Sequence, residues 1–442
     1  MEQIVIKKPE LLIPAGGMDT LKVAIDYGAD AVYMGGQKFG LRSKADNFSI
    51  EEMKEAVRYV HAHGKKVYVT VNIFAHNDDI EGVREYFETL HNEGLDSGDT
   101  AIDALLISDF GIFTLAKEIL PDIDIHISTQ ANNTNYMTYN FWYKQGAKRV
   151  VAARELSLKE LKKIRDNIPE DMEIEAFMHG AMCISYSGRC LLSSYFTGRD
   201  ANKGACTHPC RWKYAIVEEK RPGEYLPVEE DDRGTYIFNS KDLCMIEYIP
   251  EMIAAGIDSF KVEGRMKTAL YVAAVTRTYR KAIDDYFESE ELYRANMDYY
   301  REEIAACTYR QFTTGFYFHK PDENTQIYDN NTYVNNYIYL GCIEEVITKE
   351  SSADALDGLT GDSDLNSDTG LFVIHQKNKF SVGEKVSVMA FDGSNIYVAV
   401  CGIYDEKMNP MESAPHPKQL IYIKFSDTDG IRPGMIIRVK RS

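Results

Sequence analysis

An α/β fold is predicted by this sequence: a (β/α)8 barrel that carries a cysteine-rich insertion, followed by a small C-terminal β-barrel. Three observations predict it. Eight short apolar runs of β character alternate with amphipathic helical segments over the first 265 or so residues, the texture of parallel strands joined by crossover helices. Between the seventh and eighth runs lies a long stretch holding five of the eight cysteines. From Tyr337 onward the alternation gives way to six short β-like segments separated by turn residues. The predicted domains are therefore 1–330, a barrel with its insertion at 180–245, and 331–442.

The eight strand candidates are Leu11–Ile13, Ala31–Met34, Val67–Val71, Ala104–Ile107, Ile123–Ile127, Val150–Ala153, Ile174–Met178 and Phe260–Val262. Helix periodicity between them marks Met18–Tyr27, Ile50–His63, Ile80–Glu93 and Ser157–Asp166. The last opens with Ser157 and Glu160 spaced as a capping box. In such a barrel, functional side chains gather where strands end and loops begin. The strand ends here are polar: Asn72 after the third, Ser128-Thr-Gln130 after the fifth, Arg154 after the sixth, His179 after the seventh, and Glu263-Gly-Arg265 after the eighth. Thr268–Phe287 reads as a helix that closes the ring, and Ser289 to Lys320 as helical at first, ending in the aromatic FTTGFYF run. Tyr236–Asn239 is a candidate extra strand within the insertion, Asn330 to Asn336 the domain boundary, and Ser351 to Thr369 a flexible acidic loop.

The cysteines are spaced Cys183-x6-Cys190-x15-Cys206-x3-Cys210, with Cys244 33 residues further on. Disulfides, zinc and an iron-sulfur cluster all use clustered thiols. Met1 to Lys8 lacks a basic start followed by an apolar run, which predicts a reducing cytoplasm and disfavours disulfides. Structural zinc prefers tighter chelate pairs than Cys183 and Cys190 make, whereas iron-sulfur clusters accept looser spacing. Ser240 or Asp242 is placed to cap a helix through Leu243, Ile246 and Ile249, with Cys244 in its first turn, where the helix dipole favours a thiolate. Cys307, Cys342 and Cys401, scattered in the remainder, read as core residues.

The net charge of -18 argues against indiscriminate attraction to polyanions. A local exception surrounds the cysteines, where Arg189, Arg199, Lys203, Arg211, Lys213, Lys220 and Arg221 cluster, a candidate RNA-binding face. No apolar run approaches the roughly 18 to 20 residues of a spanning helix, so no membrane partner is expected. HExxH, GxSxG and nucleotide-binding glycine motifs do not occur.

The run EAFMHGAMCISYSGRCLLSSYFTGRDANKGACTHPCRWKY, followed by IFNSKDLC and FKVEGRMK, resembles the signature region of peptidase family U32, the collagenase-like protease family. Similarity continues through LLIPAGGMDTLKVAIDYGADAVYMGG, HISTQANNTN and YRQFTTGFYF, so it covers most of the chain. Within the family the sequence most resembles the tRNA hydroxylation branch. The resemblance implies an oxygen-independent RNA hydroxylase that holds a four-cysteine iron-sulfur cluster (4Fe-4S), takes prephenate as co-substrate and makes wobble 5-hydroxyuridine in tRNA. A peptidase, or a non-catalytic subunit working beside a paralogous family member, is the alternative. The family pattern falls on Cys183, Cys190, Cys206 and Cys244, with Cys210 in reserve. Prephenate is a dicarboxylate, for which Arg154, Arg265 and Arg42 are the mouth candidates. Asn72, Gln130 and Glu263 are candidates to read a uracil edge, Tyr186, Phe196 or Trp212 to stack on it, and His179 and Glu263 to move protons.

Overall fold

The structure, a computed structural model, describes residues 7–41, 47–183, 185–212, 215–217, 225–227, 239–320, 326–327, 334–347 and 370–441. Seven parallel strands follow one another in order: β1 (Glu10–Pro14), β2 (Ala31–Gly35), β3 (Lys66–Val71), β4 (Ala104–Ile107), β5 (Asp124–Ile127), β6 (Arg149–Val151) and β7 (Glu173–Ala181). The short β8 (Asp242–Cys244) lies antiparallel on the far end of β7, and β9 (Ser259–Val262) pairs in parallel with both β1 and β7. That last double pairing closes an eight-stranded barrel. Every one of the eight predicted strands is present, with neither bound more than three residues from the predicted one.

The helices outside the ring form for local reasons. Ser49 and Ser157 each accept the backbone N–H of the glutamate three residues on, and that glutamate returns the contact, so α2 (Ile50–Ala62) and α6 (Leu158–Arg165) begin in capping boxes. Asp109 caps α4 (Phe110–Ile119), and Thr268 caps the twenty-residue α9 (Ala269–Glu288). Fourteen residues of α9 are buried, because it packs on the barrel beside α1 (Met18–Asp26) on one side and under the C-terminal sheets on the other. One continuous apolar core fills the space between barrel and helices.

The inside of the barrel is not uniformly apolar. Arg149 reaches across from β6 to Glu10 on β1 at 2.6 Å and also bonds Glu173 at 2.6 Å and Glu175 at 3.2 Å. Glu175 in turn holds Lys261 at 2.6 Å, and Tyr68 and Ser259 donate hydrogen bonds to Glu10. Burial alone would raise the Glu10 carboxyl, but the Arg149 guanidinium and these hydrogen bonds hold it below the usual carboxylate range. His126, packed edge-on against Tyr68, is buried and beside Arg149, which keeps it neutral.

Two sequence expectations need correcting here. Cys244 does not open a helix: it ends the strand β8, and the following helix begins only at Ile249. The pairing of Asp242 and Leu243 with Ala181 and Gly180, and with Phe312 and Thr313 on the other side, uses the backbone groups that a helix would need.

The second correction concerns the C-terminal β-barrel. All six predicted segments are strands, but they are not closed into a barrel. The long strands Tyr337–Ile347 and Asn395–Tyr404 each pair with one set of neighbours over their first half and another over their second, with register breaks around Gly341 and Val400–Gly402. The result is two sheets that share two bent strands and enclose a second apolar core. Tyr236–Phe238 and Ser351–Thr369 lie outside the described residues, while Asn239–Ser240 pairs with Gln326–Ile327. Among the described residues no helix is long and apolar enough to cross a membrane.

Candidate functional site

At the mouth of the barrel, where the strands end, is a cavity of about 460 Å3. One wall consists of strand-end residues: Asn72 from β3, Ser128 and Gln130 after β5, Arg154 after β6, and Lys261, Glu263 and Arg265 at the end of β9. The facing wall is the insertion, which contributes Cys183, Cys190, Cys206 and Cys210 together with Tyr186. All eight cysteines are described and none forms a disulfide.

The strand-end groups are held in place by one another. Asn72 donates to Ser128 Oγ at 3.1 Å and to Gln130 Oε1 at 3.3 Å, while its own Oδ1 accepts the Leu41 N–H at 3.3 Å. Arg154 donates to the carbonyl of Ala181 at 2.8 Å, pairs with Glu263 at 3.3 Å and lies 3.9 Å above the Phe177 ring. Arg265 is buried and donates to Thr70 Oγ1 at 3.2 Å, to the Leu41 carbonyl at 3.4 Å and to Asn47. A Cβ at residue 35 would collide with its guanidinium, so Gly35 is the space into which Arg265 folds. These hydrogen bonds fix the planes of the amide and guanidinium groups, which is what directional recognition of a planar ligand requires.

The insertion is fastened to the barrel rather than hanging over it. Phe74 donates its N–H to the Asn202 carbonyl at 3.0 Å, Asn132 donates to the Ser187 carbonyl at 3.0 Å, and Lys203 pairs with Asp79 at 2.7 Å. Inside it, Asn202 donates to the Cys190 carbonyl at 3.1 Å and the Cys206 sulfur accepts the His208 N–H at 3.4 Å. The Lys203 position read from the sequence as RNA-binding is thus partly spent on holding the insertion down. Arg199 is exposed. Arg42, Lys213, Lys220, Arg221 and the side chain of Arg211 lie outside the described residues.

Two of the sequence expectations do not reach the cavity. His179 is buried behind it among Tyr271, Tyr279 and Phe312, with Nδ1 3.2 Å from the Tyr279 hydroxyl. Burial pushes its imidazole down to about 3, so it is neutral and enclosed rather than a group poised to exchange protons with a ligand. Cys244 sits opposite His179 across the β7–β8 pairing and its thiol is 3.6 Å from the same Tyr279 hydroxyl. Burial pushes that thiol up to about 11, the reverse of the depression a helix N-terminus would give. The cysteines read as core divide as well: Cys307 is buried, Cys342 half-buried and Cys401 exposed.

Lys261 is the residue that sequence reasoning missed. It lines the cavity floor while bonded to Glu175, with its ammonium 4.3 Å from the Tyr33 ring. Its signal was present in the sequence, as a lysine in the middle of an apolar strand run.

A family model described as peptidase family U32 matches residues 16–327, and a second, the peptidase family U32 C-terminal domain, matches residues 359–438. The chain is 37% identical to "tRNA hydroxylation protein P1" of Bacillus subtilis, over 99% of this chain and 96% of that protein. It is 35% identical to "tRNA hydroxylation protein P" of Escherichia coli, over 92% of both chains. An uncharacterized protease of Methanocaldococcus jannaschii is 43% identical over 71% of this chain and 74% of that protein. The chain belongs to peptidase family U32, as an enzyme of that family.

Proposed function

We propose that this enzyme hydroxylates a uridine of tRNA, using an iron-sulfur cluster held by the insertion and prephenate as co-substrate. The single observation that carries the reading is the composition of the cavity, in which thiols from the insertion face a wall of amide and carboxylate groups of the kind that read a base edge. Relatives of nearly the same length named for tRNA hydroxylation support the same reaction class.

The donor chemistry supports such a cluster, since thiolates are its usual ligands. Four cysteines, Cys183, Cys190, Cys206 and Cys210, line one cavity, which supports a thiolate-held cluster at that wall. Cys183, Cys190 and Cys206 are assigned as three ligands. Cys210, which lines the cavity, and Cys244, which matches the family pattern, compete for the fourth place. A bound cluster supplies one-electron chemistry at that wall.

The remaining tasks fall to side chains. An unpaired uracil slides between Tyr186 and the strand ends, where Asn72 and Gln130 present donors and acceptors to its edge and Glu263 stands ready to take a proton. Arg154, Lys261 and Arg265 put positive charge around the cavity for the two carboxylates of prephenate.

Nucleoside analysis of tRNA from a deletion strain tests the reaction, with loss of 5-hydroxyuridine and its restoration by the intact gene as the expected result. Iron and sulfide assays on anaerobically purified protein test the cluster: Cys183→Ser, Cys190→Ser and Cys206→Ser each lose it. Of Cys210→Ser and Cys244→Ser, only the true fourth ligand does. Unchanged tRNA together with cleavage of casein or gelatin supports the peptidase reading instead.

A further inference from the structure

We infer that the outer face of the cysteine-bearing insertion is a stacking platform for the unpaired nucleotides flanking the base held in the cavity. The inference rests on the RNA reading above. Among the described residues, Tyr195 is 82% exposed, Leu191 72%, Trp212 45% and Phe196 41%, a concentration of large apolar side chains on one short segment of the surface. None of the four lines the cavity, whereas Tyr186, 44% exposed, does. The insertion therefore has two aromatic positions, one at the entrance and one outside it.

The outer rings belong to the short helix α7 (Leu192–Thr197) and the turn ending at Trp212. Tyr195 and Phe196 meet edge to face at 5.1 Å, and Phe196 and Trp212 are tilted by 56° at 6.3 Å. The helix is tied to the later loop through Ser193, whose hydroxyl lies 3.0 Å from that of Thr207 and accepts the Thr207 N–H at 3.1 Å. Elsewhere on the insertion Arg189 stacks 5.0 Å over the exposed Phe74 ring while bonded to Asn132 at 3.0 Å.

Charge decides which partner these rings suit. The chain carries a net charge of -18, yet residues 183–212 hold Arg189, Arg199, Lys203 and Arg211 against the single acidic Asp200. Exposed aromatic faces set in a basic segment are the two components by which proteins bind single-stranded nucleic acid without reading its sequence. A loop of RNA with splayed bases fits both the rings and the exposed Arg199; an apolar protein surface would use the rings alone.

Binding of a synthetic anticodon stem-loop RNA to the full-length protein tests the platform. Tyr195→Ala and Trp212→Ala are each expected to weaken binding about 5-fold or more, with an unaltered salt dependence, while Tyr195→Phe retains affinity. Tyr397→Ala, which removes another exposed ring, this one from the C-terminal sheets, is the control and leaves affinity unchanged. Wild-type affinity in both alanine variants of a protein that does hydroxylate tRNA overturns the platform and leaves the reaction standing. If those variants instead lose a copurifying protein subunit, the face is a protein interface and the proposal is also overturned. A wild-type protein that neither binds the RNA nor alters its nucleosides brings down both.

Discussion

The two ends of the barrel interior use the same residue types for opposite purposes. Towards the strand starts, Glu10, Arg149, Glu173 and Glu175 satisfy one another in a closed ion network sealed by Tyr68 and Ser259. At the strand ends, Arg154, Glu263 and Arg265 are also hydrogen-bonded, yet they border a cavity large enough for a ligand. Lys261 belongs to both ends, spending one contact on Glu175 and turning its surface to the cavity. A charged side chain inside a barrel is therefore not in itself a functional signal. What distinguishes the mouth is space beside the charge.

Mutating matched groups at the two ends breaks or sharpens that contrast. The largest effect is expected for Glu175→Ala, which leaves Arg149 and Lys261 short of a buried partner and should cost about 3–5 kcal/mol in denaturant unfolding. A loss below about 1 kcal/mol would mean that the lower network is not structural. Next, Glu263→Gln at the mouth should lower tRNA hydroxylation about tenfold or more, the scale of one charged hydrogen bond, while moving the unfolding midpoint far less than Glu175→Ala does. An equal loss of stability in both variants erases the distinction between the ends.

Tyr27→Phe sharpens the contrast from outside the barrel. The Tyr27 hydroxyl donates to the Met389 carbonyl at 2.8 Å and accepts the Ile436 N–H at 2.9 Å, joining α1 to the C-terminal sheets. Its removal should cost about 1–3 kcal/mol by calorimetry and leave activity unaffected. The smallest effect concerns acid. Because the Glu10 carboxyl is held below its unfolded value, the stability it contributes is complete above the ordinary carboxyl range and is lost as pH falls towards its folded value. Glu10→Gln should therefore flatten the decline in stability on acidification, which a series of urea titrations at falling pH measures.

The barrel was legible because strand and helix periods differ, and because Ser157-x-x-Glu160 announces a helix start in the local sequence. Polar residues at strand ends located the cavity correctly for Asn72, Gln130, Arg154, Glu263 and Arg265. His179 misled for a physical reason. Its strand, β7, runs on past the ring to Ala181 and takes β8 alongside, so a residue that looked like a strand end is in fact mid-strand and covered. The same tertiary pairing overrode the helical period around Cys244, where spacing of apolar residues could not reveal that both strand edges were occupied. Lys261 was overlooked because a strand lysine ordinarily faces water, and only closure of the ring puts it inside. Bends at Gly341 and near Gly402, which split the C-terminal strands between two sheets, left no mark in the alternation of apolar residues.

Strand β7 spans nine residues where β6 spans three, and at its far end Gly180 adopts a left-handed φ of 111° close against the Glu263 backbone, where a Cβ would clash. The sulfur-bearing loop consequently departs from a rigid rod rather than a hinge, and its bearing is inherited from the barrel. An attempt to graft this chemistry onto another scaffold should carry the segment from Glu173 to Glu263 as one indivisible cassette. Transplanting only the loop between the cysteines would deliver the thiols without the spar that aims them.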